Sequence, residues 1–267
     1  MEWTCSIRAL GNLFPIINVN ALMVYFFSDV HLGLGSRESD RVREQELLRF
    51  FEFIRPDCTH LVIVGDLFDF WFEYKTVVPK YFFRVLTALD EMRKRGVRID
   101  YVMGNHDFGH QHFFADELDI PIHHDDVTFT LNGKKFYIAH GDGKAYNDTG
   151  YLILKKIIRN KLSIKLFQYL HPDFGIWLAS RSSHASRIYT DDKDFSRRDG
   201  LRDFAKRTIE KGFDYVIMGH KHESRVEEFG SGTYINLGHW LSLPATYAQF
   251  DGEKVELRTF TTEKATE

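Results

Sequence analysis

The sequence predicts an α/β fold: a parallel-sheet first half, a strand-rich second half, and one helical insertion between them. Three observations carry this. Short apolar runs alternate with longer helical patterns over residues 24–103, and β-α-β-α-β order argues for a parallel sheet with right-handed crossovers. Asn132-Gly133 and Asp251-Gly252 are two-residue hairpin signals that bring antiparallel strands into the later chain. Residues 151–212 look mostly helical.

The elements follow in order. Residues 24–28 (VYFFS) read as a buried strand, and residues 41–55 place Leu47, Leu48, Phe51 and Ile54 at helical spacing. Residues 61–64 (LVIV) are a second strand. Residues 80–95 form a second helix with Phe82, Val85, Leu86, Leu89 and Met92 on one face, ended by Gly96. Residues 98–103 are a third strand. Residues 127–131 and 135–139 flank the first hairpin turn, and strands return at 215–218, 233–237 and 245–260. Pro172 marks the turn between the two helical patterns of the insertion. We therefore expect one domain over residues 23–262 with its insertion at 151–212. Residues 1–22 lack a basic start followed by an unbroken apolar core, so they do not read as a signal peptide. Met23 directly precedes the first strand, so residues 1–22 are expected to be an extension, either a gene-start artefact or a loose tail.

Composition narrows the function classes. The 267 residues are 43% hydrophobic and 27% charged, which describes a globular chain. A net charge of -3 argues against bulk nucleic-acid binding. Cys5 and Cys58 supply neither a disulfide framework nor a zinc-thiolate site, which fits a reducing compartment. No run of about 18 apolar residues is present to span a bilayer. Aromatic residues reach 15%, either as a ring-rich core or as surface for a greasy ligand.

Polar residues cluster where the apolar runs stop. Asp29-Val30-His31 follows the first strand, Gly65-Asp66 the second and Gly104-Asn105-His106-Asp107 the third. His140-Gly141-Asp142 follows residues 135–139, and Gly219-His220-Lys221-His222 follows residues 215–218. Open α/β sheets bind ligands beyond the carboxyl ends of their strands, so five such clusters are expected to converge. Singly, each has a bland reading: Gly-Asp is ordinary turn chemistry, and Gly-His-x-His can be a structural pair. Together they offer Asp29, His31, Asp66, Asn105, His140, His220 and His222, a thiolate-free nitrogen and oxygen set. That set suits Mn²⁺, Fe²⁺ or Zn²⁺ better than Mg²⁺. Seven donors are too many for one tetrahedral ion and fit two ions sharing a carboxylate, the arrangement that clamps a phosphoryl group. Two divalent ions less the two aspartates leave a net positive site, suited to an anionic substrate. The remaining histidines, His60, His110, His112, His123, His124, His171, His184 and His239, read as surface or loop residues. His239 is singled out because Asn236-Leu237-Gly238 places it at a strand end.

The five blocks, unbroken from Asp29 to His222, resemble the calcineurin-like metallophosphoesterase superfamily. The resemblance implies a four-layer αββα sandwich with metals at the strand ends. It implies that Asp29, His31, Asp66 and His222 hold one ion, and that Asp66, Asn105, His140 and His220 hold the other, with Asp66 bridging. Mn²⁺ is the expected metal, with Fe²⁺ or Zn²⁺ as alternatives. His106 would donate to a phosphoryl or leaving oxygen, and Asp107 would orient His106; the alternative for Asp107 is a helix N-cap before Phe108.

Gly65-Asp66-Leu67-Phe68-Asp69-Phe70-Trp71, and His140-Gly141-Asp142 with Asn147-Asp148-x-Gly150-Tyr151, are similar to the UDP-2,3-diacylglucosamine pyrophosphatases of lipid A biosynthesis. That similarity implies hydrolysis to UMP and 2,3-diacylglucosamine 1-phosphate, by attack of a metal-bound hydroxide on the α-phosphorus. It implies substrate contacts from Asn105, His106, Asp148, Ser186 and Lys193, and makes the insertion a lid. The sequence departs from the well-studied branch at His106, where that branch has Arg, and at Thr190, where it has Asn. The alternatives are a metallophosphoesterase for a soluble nucleotide or other phosphomonoester or diester, and a non-catalytic scaffold on the same fold.

Residues 151–190 add a physical argument. They carry Lys155, Lys156, Arg159, Lys161, Lys165, Arg181 and Arg187 against one acidic residue, Asp173, in a chain that is acidic overall. The same stretch is crowded with Leu, Ile, Phe, Tyr and Trp. A basic, apolar helical pair reads as a lipid-pocket cap or membrane-surface element, the alternative being a packed hairpin with a solvated cationic face. Together with the resemblance, this implies a cytoplasmic location peripheral to the inner membrane, with a lipid-linked nucleotide sugar as partner. The sequence does not set an oligomeric state.

Overall fold

The computed structural model describes residues 22–144, 149–178 and 199–261. The expected extension, apart from its last residue, lies outside these residues, as do Asp148, Ser186, His184, Thr190 and Lys193. Two sheets form the frame. The first contains β1 (Val24–Phe27), β2 (His60–Val64), β3 (Arg98–Val102), β4 (Ile122–His123), β10 (Ala245–Phe250) and β11 (Val255–Phe260) in the order β11-β10-β1-β2-β3-β4. Strands β1 to β4 are parallel, β10 pairs antiparallel with β1, and β11 pairs antiparallel with β10. The second contains β5 (Val127–Leu131), β6 (Lys134–Ala139), β7 (Tyr215–Met218), β8 (Ser224–Phe229) and β9 (Gly232–Leu237) in the order β5-β6-β7-β9-β8. Its middle strands β6, β7 and β9 are parallel, and the two outer strands are antiparallel.

Side-chain alternation explains the stacking. Successive strand residues point to opposite faces. Val24, Phe26, Val62, Val64 and Val102 of the first sheet meet Phe136, Ile138, Ile217 and Ile235 of the second. Their neighbours Tyr25, Phe27, Leu61, Ile63, Ile99 and Tyr101 turn the other way. They pack on α1 (Arg37–Ile54) and α2 (Phe83–Lys94) through Leu47, Phe50, Phe51, Ile54, Val85 and Leu89. The far face of the second sheet, with Val216, Met218 and Tyr234, is covered by Leu201, Ala205 and Ile209 of α7 (Gly200–Ile209). The result is the expected four-layer order of helix, sheet, sheet, helix. Because both faces of the central strands are buried, their sequences are continuous apolar runs. Each such side chain contributes about 1.5–3 kcal/mol by leaving water.

Departures from the sequence reading have local causes. Helix α1 begins at Arg37 rather than 41, because Ser36 caps it: its hydroxyl accepts the Ser39 N–H at 3.2 Å. The first turn, Arg37 to Asp40, is polar and carries no periodic signal. Strand β8 was not expected; it is a polar edge strand (SRVEEF) whose alternation is half-exposed. Helix α3 (Phe113–Leu118) and β4 are too short to show a period. Within the insertion, α4 (Thr149–Ile158), α5 (Lys161–Phe167) and helical residues 172–178 (α6) are described. No helix among the described residues is long and apolar enough to cross a membrane.

Candidate metal centre

The loops leaving β1, β2 and β3 in one sheet and β6 and β7 in the other carry the seven expected donors to one edge of the sandwich. Backbone hydrogen bonds stitch these loops together: the Asp29 N–H donates to the Gly65 carbonyl at 3.1 Å, and the Gly219 N–H donates to the His140 carbonyl at 2.9 Å. Five of the seven donors, Asp29, His31, Asp66, His220 and His222, have φ between 50° and 69°, in the left-handed region. Non-glycine residues rarely sit there, and such strain concentrates at functional sites. Two glycines permit the close approach. A Cβ on Gly104 would overlap Asp66 Oδ1, and one on Gly219 would overlap Asp29 Oδ2.

The donor atoms fall into two groups. His31 Nε2 and His222 Nε2 are 3.0 Å apart. Asp29 Oδ1 lies 3.7 Å from the first and 3.3 Å from the second. The other Asp29 oxygen accepts the His220 N–H at 3.0 Å. In the second group Asn105 Oδ1 lies 2.9 Å from His140 Nε2 and 2.9 Å from His220 Nδ1. Asp66 Oδ2 lies between the groups, 3.2 Å from His140 Nε2 and 3.9 Å from His31 Nε2. Asp66 Oδ1 is held by the His106 N–H at 2.8 Å. Nδ1 of His140 is 2.9 Å from the Val64 carbonyl, to which it donates; the tautomer this sets leaves Nε2 free to coordinate.

These residues fit divalent cations. Asp29 Oδ1 is buried with no hydrogen-bond partner among the described residues, an orphaned anionic oxygen that a cation would satisfy. The ligating atoms of Asp29, His31 and His222, and separately those of Asp29, Asp66 and His140, lie within 4.8 Å of one another. Without thiolate, the donor set suits borderline divalent ions. The charges agree. Burial opposes ionisation of Asp29 and Asp66, yet the surrounding imidazoles hold both carboxyls well below the usual range. Burial likewise opposes protonation of His31 and His140, but Asp29, Asp66 and their neighbours outweigh it and push them up to about 9 and about 10. His220, buried and beside His140, is pushed down to about 4. Protons here meet a demand for positive charge that metal ions would also meet.

The supporting residues differ from expectation at Asp107. Neither expected role holds. Its carboxylate accepts the Gly104 N–H at 2.8 Å, the Leu67 N–H at 3.0 Å and the Tyr101 hydroxyl, and no helix follows it. It therefore braces the second and third loops against each other. The acid beside His106 is Asp69, whose Oδ1 lies 3.6 Å from His106 Nδ1 and 3.5 Å from His31 Nδ1. Asp69 was missed; its signal was the second aspartate three residues after Asp66.

Two histidines read as surface residues are buried: His60 is 3% exposed and His110 is fully enclosed. His60 and His123 share the Asp100 carboxylate at 2.8 and 2.7 Å. His110 stacks on Trp71. His112, His124 and His171 are exposed, as expected. The His239 ring lies 5.6 Å from that of His222, beside the centre.

The insertion is fastened to the same loops. Lys155 donates to Asp142 at 2.5 Å, and Arg159 donates to the Gly104 carbonyl at 2.8 Å. Lys155 and Arg159 thus turn toward the loops that carry the expected donors, whereas Lys156, Lys161 and Lys165 are exposed. The Phe167 ring packs 4.5 Å from Phe72. On the outside, Ile153, Ile157, Leu162, Leu166, Phe174 and Trp177 are exposed. The high aromatic content therefore serves both a core and a surface.

The calcineurin-like phosphoesterase model matches residues 22–224. A UDP-2,3-diacylglucosamine hydrolase of Porphyromonas gingivalis is 32% identical over 263 residues, 88% of this chain and 97% of its own. The protein of that name from Haemophilus ducreyi is 28% identical, covering 81% of this chain and 91% of its own. One from Neisseria meningitidis is 29% identical, covering 86% and 94%. Among solved structures, an archaeal phosphodiesterase aligns over 90% of this chain and 100% of its own at 16% identity and a TM-score of 0.47.

Proposed function

The chain belongs to the calcineurin-like phosphoesterase family and is a hydrolytic enzyme, and on that premise we propose that it cleaves the pyrophosphate of UDP-2,3-diacylglucosamine. The products are UMP and 2,3-diacylglucosamine 1-phosphate. The observation that carries this choice is the exposed apolar face of α4, α5 and α6, on helices fastened to the metal loops through Lys155 and Arg159. A soluble nucleotide would give no reason for so much apolar surface there. The names of the relatives point the same way.

In this reading Asp29, His31, Asp66 and His222 hold one divalent ion, and Asp66, Asn105, His140 and His220 hold a second. When bound, such ions polarise phosphoryl oxygens and lower the pKa of an attacking water. The chain's own residues do the remaining work. Asp66 ties the two halves together through one carboxylate. The His140 bond to Val64 keeps Nε2 turned inward. His106, set beside the centre with Asp69 near its Nδ1, donates to an oxygen of the phosphoryl or leaving group. The exposed apolar side chains, with Lys156, Lys161 and Lys165, seat the enzyme on the cytoplasmic face of the membrane that holds its substrate.

The test is incubation with UDP-2,3-diacylglucosamine and Mn²⁺, followed by mass analysis of the products. UMP and the lipid monophosphate are expected. Turnover of small phosphodiesters alone, with the lipid nucleotide left intact, would assign the enzyme to a soluble substrate. A protein that binds no metal and turns over neither would be a scaffold.

A further inference from the structure

We infer that His239 is a substrate-contacting residue, donating from Nε2–H to a phosphoryl oxygen held at the Asp29–His31–His222 half of the centre. The inference rests on the phosphoesterase reading above and adds a donor to it.

Strand β9 runs parallel to β7, so its carboxyl end emerges at the edge where His220 and His222 emerge. The residues after it form a sixth loop at the site. The Trp240 N–H donates to the Asp29 carbonyl at 3.0 Å, which bolts this loop to the first metal loop. His239 is thereby fixed beside the half-site, with its ring 5.6 Å from that of His222.

Its hydrogen bonding decides what it can do. The Leu241 N–H donates to His239 Nδ1 at 3.0 Å. An imidazole nitrogen that accepts carries no proton, so in the neutral ring the proton is on Nε2. A protonated Nε2 cannot ligate a metal, and it is a donor without a hydrogen-bond partner among the described residues. The ring is only partly buried, as a group that meets a ligand must be.

Three variants separate a donor from a structural cap. In His239→Asn the amide can keep the bond to the Leu241 N–H but cannot reach the Nε2 position. In His239→Gln the amide nitrogen reaches the Nε2 position and loses the cap. His239→Ala loses both. Loss of one such donor at a charged oxygen is expected to lower kcat/KM by about 10–100-fold. We expect that loss in the Ala and Asn variants, with both UDP-2,3-diacylglucosamine and bis(4-nitrophenyl) phosphate, and recovery to within a few fold in Gln. UMP affinity, measured by calorimetry on Mn²⁺-loaded protein, should weaken about tenfold in Asn and not in Gln. Manganese content and melting temperature of the Asn variant should match the unmodified enzyme. An Asn variant with unchanged kcat/KM and UMP affinity would overturn the inference, as would loss of metal from it. If the unmodified enzyme leaves the lipid nucleotide intact, the substrate assignment fails while the phosphodiester and UMP still test His239.

Discussion

At Asp66 one carboxylate oxygen accepts the His106 N–H while the other stands between His31 and His140. Under the proposed two-ion reading, Asp66→Ala removes the anchor common to both ions, and we expect it to lose metal together with activity. His106→Ala removes only a donor, so turnover should fall about 10²–10³-fold with metal content intact. Equal metal occupancy in Asp66→Ala, measured by elemental analysis, would count against the shared anchor. Away from the centre, Glu73 shows a depressed carboxyl. Burial alone would raise it, yet the His110 ring, the Phe113 N–H and the Trp71 indole hold it down at about 2. A carboxyl with a folded pKa below its unfolded one stabilises the protein above pH ~4.5, and that contribution is lost as pH falls toward about 2. Glu73→Gln should cost roughly 1–3 kcal/mol at neutral pH and flatten the acid limb of the stability curve. Urea melts at several pH values measure both. Among these residues the candidate metal donors were legible because Gly-Asp and Gly-His patterns mark strand ends. Asp69 was signalled only by its place three residues after Asp66, and His110 was not legible, since nothing local distinguishes a buried imidazole from an exposed one.

In the insertion, composition and periodicity show the helices without showing which cations face outward. Its helices and their cationic, apolar composition were plain in residues 151–178. Which cations face outward was not, because helical periodicity places a residue on a face without saying what that face meets. Lys155 and Arg159 meet Asp142 and the Gly104 carbonyl, while Lys156, Lys161 and Lys165 meet solvent. We expect Lys156, Lys161 and Lys165 changed together to Glu to weaken binding to anionic vesicles, by about 1 kcal/mol per residue at the surface. Replacing Trp177 and Ile157 by Ser should weaken binding to neutral vesicles as well, because that loss is apolar. Co-sedimentation at two salt concentrations distinguishes the two effects, since only the charge contribution is screened. Unchanged sedimentation in all variants would remove the membrane-surface role. The strands were legible for the opposite reason: buried on both faces, they stand out as apolar runs, whereas the half-exposed edge strand β8 does not.

For the whole molecule, the apolar layers are separate from the centre, which caps one edge of the sandwich. Chelation should therefore abolish activity without unfolding the chain. The melting temperature should fall on metal removal and recover with added Mn²⁺, because a ligand that binds only the folded state stabilises it by mass action. Loss of the circular dichroism signal on chelation would show instead that the metals hold the fold. The sequence by itself determined the alternation of strands and helices, the family pattern from Asp29 to His222 and the donor chemistry, because each is written in residues close along the chain. Only the tertiary structure decided that Asp107 braces two loops, that Asp69 flanks His106, that the insertion turns two cations inward and that His239 stands beside His222. Those relations join residues from different strands and loops, and burial and direction across such distances follow from how the two sheets stack rather than from local pattern.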